Sequence, residues 1–112
     1  MEEIDIGKLT KLLDQRFRIT LILKVRQRIC NDPLGEFIVI EKNEKATLSS
    51  YSRNEDGSLC FQVDFDKISA FYYHEKRNSY DRPFYVPEKG APEEFQDLFY
   101  IEGKEQMWRL LR

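Results

Sequence analysis

One histidine, two cysteines and five scattered glycines are all that this 112-residue chain offers from the residue types that build most catalytic and cofactor sites. With His74 alone and no closely spaced cysteine pair, a structural zinc site within the chain is not expected. The glycines at 7, 35, 57, 90 and 103 stand at least thirteen positions apart, so neither common Gly-rich phosphate loop can be assembled, and no cofactor is expected. Apolar runs are short as well, none approaching the ~20 residues of a membrane-spanning helix. The acidic start over residues 1–5 lacks the basic and apolar regions of a signal peptide, which makes a cytoplasmic location the expectation. In that compartment Cys30 and Cys60, too few for a disulfide framework, are expected as thiols. Charge of one sign is also missing. A formal net charge of −2 argues against a dedicated duplex-binding protein, which usually presents a basic domain.

What remains is ordinary folding material. Hydrophobic residues at 41% and charged residues at 34% separate the chain from disordered sequences, and its length suits one domain over 1–112. Eight Phe, six Tyr and one Trp are more rings than a small core needs.

The most legible stretch is 18–29. Its odd positions Ile19, Leu21, Leu23, Val25 and Ile29 are apolar with only Gln27 interrupting, and Arg18, Lys24, Arg26 and Arg28 occupy even positions. Period-two alternation of this length, rich in β-branched residues, predicts a long strand with one face on a core and one face cationic. Before it, Ile6, Leu9, Leu13 and Phe17 recur at helical spacing within 2–17, and Asp5 is a plausible cap. After it, the turn residues of 31–35 predict a hairpin into a second strand at 36–42, apolar on both faces. A weaker, more polar strand at 46–53 reads as an edge, and the Asp56-Gly57 turn leads into a strand at 59–65 with Leu59, Phe61, Val63 and Phe65 inside.

A fifth strand, or a bent continuation of the fourth, follows at 68–74. Residues 75–91, with Pro83, Pro87 and Gly90, read as a loop longer than compact domains usually carry without a function. Pro92 and the acids after it open a short helix burying Phe95, Leu98 and Phe99, and 106–112 is a last helix or strand. The expected fold is α+β: an N-terminal helix on a roughly five-stranded antiparallel sheet or small curled barrel, with short helical segments near the C-terminus.

Three functional readings arise. The stretch 72–85 combines Tyr72, Tyr73, Arg77, Tyr80, Arg82 and Tyr85, residue types that offer large contact area together with directional polar groups. It supports a small non-catalytic module, of adaptor or inhibitor type, that docks on another protein; the competing reading is that these rings pin the loop to the core. The alternative function is single-stranded nucleic-acid binding along Arg18, Lys24, Arg26 and Arg28 with tyrosines as stacking platforms. Against it, residues 17–31 carry +4 and 32–66 carry −5, so Glu36, Asp64 and Asp66 are candidates to neutralise the stripe across strands. The third reading is an enzyme, which would need His74 to converge with Asp64, Asp66 or a tyrosine on one pocket.

Overall fold

Residues 4–31, 36–68, 71–75, 84–86, 92 and 94–111 are described by the computed structural model, with the backbone alone described at 30, 31, 36, 71, 72 and 84–86. The Asp5 side chain accepts from the Lys8 backbone N–H at 3.1 Å and so caps α1 (Ile6–Asp14), supplying one of the partners that a helix start lacks. At the other end the N–H of Arg16 reaches the Leu13 carbonyl and that of Phe17 reaches the Leu12 carbonyl. This is a Schellman closure, and its left-handed position is held by Arg16 at φ 68° where glycine is the usual choice. Leu9, Leu12 and Leu13 are the buried face of α1. That face shares one core with Ile19, Leu21, Leu23, Phe61, Val63, Phe95 and Phe99.

The stretch read as one long strand is two. β1 (Ile19–Leu23) ends at a bend over residues 24–26, and β2 (Gln27–Asn31) continues in a different sheet. Its partner arm does the same: β3 (Glu36–Ile40) pairs with β2, and β4 (Lys45–Arg53) pairs with β1. Backbone bonds join the two bends, from Leu23 N–H to the Glu44 carbonyl at 3.0 Å and from Asn43 N–H to the Leu23 carbonyl at 2.8 Å. Asn43 takes the left-handed conformation this turn needs, at φ 75°.

β5 (Leu59–Phe65), β6 (Phe71–His74), β7 (Phe84–Val86), α2 (Phe95–Leu98), β8 (Phe99–Ile101) and α3 (Lys104–Arg109) complete the order. The larger sheet runs β6-β5-β4-β1-β8 and curls into a half-barrel; the smaller runs β3-β2-β7, and every pairing is antiparallel.

The expected helix, antiparallel five-stranded sheet and C-terminal helices are therefore present, with four differences in detail besides the divided strand. The strand at 46–53, expected at an edge, is central in the larger sheet, between β5 and β1. Its pattern misled because a bulge sits between Leu48 and Ser50: Leu48 opposes Val63 and Tyr51 opposes Phe61, so inward positions three residues apart break the period of two. The loop expected over 75–91 contains β7, paired with β2. Phe99, expected on the short helix, is buried from a strand instead, because β8 adds three residues to the edge of β1. Finally, Cys60, which the alternation of the strand at 59–65 turns away from Leu59 and Phe61, is nearly enclosed as well.

The aromatic surplus finds its place inside. Phe61 stacks on Phe95 at 4.4 Å between centroids, and Tyr73 meets Phe99 edge-on at 5.1 Å. Such pairs contribute about 0.5–1.5 kcal/mol beyond burial. The one inward polar position of the long arm, Gln27, is fully buried, and its Oε1 accepts the Tyr73 hydroxyl hydrogen. Gln27 Nε2 has no hydrogen-bond partner among the described residues.

Two outcomes follow from this packing. Tyr73→Phe removes the donor to a buried acceptor and is expected to cost about 1–3 kcal/mol in urea unfolding, whereas adding Gln27→Leu should recover most of that loss, since replacing both partners by apolar groups is close to neutral. An additive double mutant would show that the pair is not coupled. Tyr51 binds α1 to the sheet by donating to Asp14 Oδ1 at 2.6 Å; that bond, burial and the Asp14 charge hold its phenol above the ordinary value of 10.0, with Arg53 opposing. The folded state keeps this proton more tightly than the unfolded state, so the associated stability is present below pH 10 and is lost as pH rises through the raised folded value. Thermal midpoints of the wild type should therefore fall more steeply above pH 10 than those of Tyr51→Phe.

Candidate functional site

The cationic stripe is divided by the bend. Arg18 precedes β1, Lys24 and Arg26 lie in the bend, and only Arg28 sits within a strand, in the smaller sheet. Each of the last three has a partner of its own. Lys24 Nζ reaches the Gln96 carbonyl at 3.5 Å, Arg26 Nε pairs with Glu41 Oε1 at 3.2 Å, and the Arg28 guanidinium carbon lies 4.3 Å from the Phe37 ring centroid. The acids expected opposite the stripe stand elsewhere: Asp64 pairs in register with Thr47, and both Asp64 and Asp66 line a concavity of about 360 Å³ with Thr20, Glu44, Lys45, Ala46 and Thr47. The Glu36 backbone pairs with Asn31 at the end of the hairpin.

The aromatic stretch is divided too. Tyr73 lies wholly inside the core, with its ring against Phe65 and Phe99 and its hydroxyl on Gln27, so in this fold it presents no surface to a partner. Tyr72 takes the β6 position opposite Gln62. Arg77, Tyr80 and Arg82 lie outside the described residues. Tyr85 belongs to β7 and takes the register position opposite Ile29, while Phe84 and Val86 stand opposite Cys30 and Arg28.

These placements bring the end of the aromatic stretch and the Arg28 end of the stripe into one small sheet. On its inner side Gln27, Ile29 and Ile40 are fully buried. On its outer side Arg28 opposes Val39, and Phe37, the diagonal neighbour, is 45% exposed under the guanidinium. The hairpin's second strand is apolar on both faces, and among the described residues its inner Ile40 is fully buried while its outer Phe37 is not. Sequence reasoning missed Phe37 because strand apolarity does not tell which face has a layer above it. The aromatic residue one step off the inward row, two positions from Val39, was the available signal.

The free edge of β3 is guarded. Lys67 Nζ donates to the Val39 carbonyl at 3.1 Å and reaches Glu44 Oε2 at 3.4 Å, and a lysine placed this way blocks addition of another strand.

His74 does not meet Asp64 or Asp66. Its ring faces Asn54 through Nδ1 and Cys60 through Nε2. No group of three or more metal-ligating side chains occurs among the described residues. Comparison with known proteins finds no matching family model, no matching curated protein and no matching solved structure.

Because Phe37 is half exposed, Phe37→Ala should lower the unfolding free energy by no more than about 1 kcal/mol, the scale of a surface change plus one exposed cation–π contact. Phe61→Ala, from the centre of the core, should cost roughly 3–5 kcal/mol. Urea denaturation of the two variants distinguishes a surface ring from a packing ring.

Proposed function

We propose that the protein is a small non-catalytic binding module that docks on another protein through the outer face of the β3-β2-β7 sheet. The observation that carries this reading is Phe37, a large apolar ring left 45% exposed with a guanidinium over it from Arg28 of β2, the strand that pairs with the end of the aromatic stretch. Aromatic rings and arginines are the residue types on which binding energy concentrates, because each removes a large area from water while keeping directional contacts. The pair stands on two strands whose other face is core, and a ring already placed by a packed sheet loses less freedom on association than one on an unpacked segment.

Single-stranded nucleic-acid binding draws less support. A phosphate-tracking surface needs its cations free and in line, whereas here Lys24 and Arg26 have partners within the chain and the strand carrying them is bent.

The test is affinity capture from the native source with paired baits, the wild type and Phe37→Asp. A protein retained by the first and lost from the second is the expected result. Retention of nothing, or of the same proteins by both baits, would remove this reading. For an isolated partner, Phe37→Ala is expected to weaken binding by at least ~2 kcal/mol, measured by calorimetry.

A further inference from the structure

Arg28 is a cation set among apolar register positions. In β3 its neighbours are Val39, directly opposite, and Phe37 on the diagonal; in β7 the positions opposite Arg28 and Cys30 are Val86 and Phe84. The acids that follow β3 are engaged elsewhere. Glu41 Oε1 takes Arg26 Nε at 3.2 Å, and Glu44 Oε2 takes Lys67 Nζ at 3.4 Å. Lys45 likewise pairs with Glu102 at 2.6 Å. The Arg28 guanidinium makes no ion pair and no side-chain hydrogen bond among the described residues; what it meets is the Phe37 ring, 4.3 Å from its central carbon.

A guanidinium carries five N–H donors in a planar fork and keeps its proton at every physiological pH. The Phe37 ring attracts the charge through its quadrupole, but neither it nor the Val39 side chain offers an oxygen to those donors. A carboxylate completes such a site, because its two oxygens accept two parallel N–H bonds. Phosphorylated segments and anionic membranes are held by clusters of cations, whereas here Lys24 and Arg26 have partners within the chain.

We infer that the occupant of this face is a polypeptide segment carrying one Asp or Glu flanked by large apolar residues, its carboxylate on the Arg28 fork and an apolar side chain on Phe37. The inference rests on the docking function proposed above and adds the partner's chemistry. As the segment seats, water leaves the pair, and the charge-assisted bonds strengthen in the drier setting. The same cation excludes competitors: a segment with Lys or Arg in place of the acid meets like charge and leaves both groups without their water.

The experiment pans a displayed library of random linear peptides on the full chain and discards those that also bind Phe37→Asp. Retained peptides are expected to share an acidic residue beside aromatic or aliphatic ones. In synthetic copies, exchanging that acid for its amide should weaken binding to the wild type at least about tenfold and leave binding to Arg28→Gln unchanged. Arg28→Glu should reverse the preference, toward peptides with Lys or Arg at that position. Peptides that depend on Phe37 yet tolerate the amide exchange on the wild type would overturn the carboxylate and leave the docking face standing. If no peptide distinguishes the wild type from Phe37→Asp, both fall. Sedimentation with vesicles of phosphatidylserine and phosphatidylcholine supplies the remaining outcome: no binding is expected, and binding that is lost in Arg28→Gln would assign the face to an anionic lipid surface instead.

Discussion

The structure depends on the bend at residues 24–26. β1 and β2 are one ribbon folded over at this point, and the inward row survives the fold: Ile19, Leu21 and Leu23 are buried before it, Gln27 and Ile29 after it. The offset of four positions from Leu23 to Gln27 is even and preserves the phase. One residue more or fewer would turn Ile29 outward together with the strand it organises, at about 1.5–3 kcal/mol for each large apolar side chain exposed. Backbone bonds hold the bend, in addition to the side-chain contacts of Lys24 and Arg26. Leu23 makes two bonds to the facing bend, and Lys24 N–H reaches the Leu98 carbonyl at 2.8 Å, which brings α2 and β8 against the same point. Because both arms of the hairpin turn together, one hairpin supplies two strands to each of two sheets, and a single core is enclosed between them and α1.

Much of this was legible because alternation and capping are local signals. The helix over α1, with Asp5 as its cap, the hairpin after Asn31, and the inward row of β5 all follow from neighbours in sequence. The failures share a cause. A bulge at Ser49 makes a central strand look like a polar edge; a three-residue strand such as β7 or β8 is too short to show a period; and a bend that keeps its phase leaves no trace in the pattern. Gln27 is the instructive case. As the sole polar residue in the inward row it looked like an interruption, yet the Tyr73 hydroxyl, forty-six residues away, is what makes its burial tolerable.

The candidate sites were less legible than the fold, since each is assembled across strands. Arg28 and Phe37 meet through a diagonal of the β2/β3 register, and His74, Cys60 and Asn54 meet through the β5/β6 register and the Asn54 turn. Residue types could be singled out beforehand. His74 is one, but its candidate partners by sequence are Asp64, Asp66 or a tyrosine, while the register delivers a thiol and an amide.

Most of the aromatic stretch falls in the connection at 75–91, longer than compact domains usually carry without a function. The topology supplies a different reason for that length. β6 ends in the larger sheet and β7 begins in the smaller one, so the chain between them has to cross from one sheet to the other before it can pair with β2. A connection with that duty is long whether or not it binds anything, and length alone therefore stops being evidence of function. The weight moves to what the crossing produces. It sets β7 beside Arg28, completes a three-stranded sheet, and leaves that sheet with one face on the core and one bearing an exposed ring that internal packing does not require.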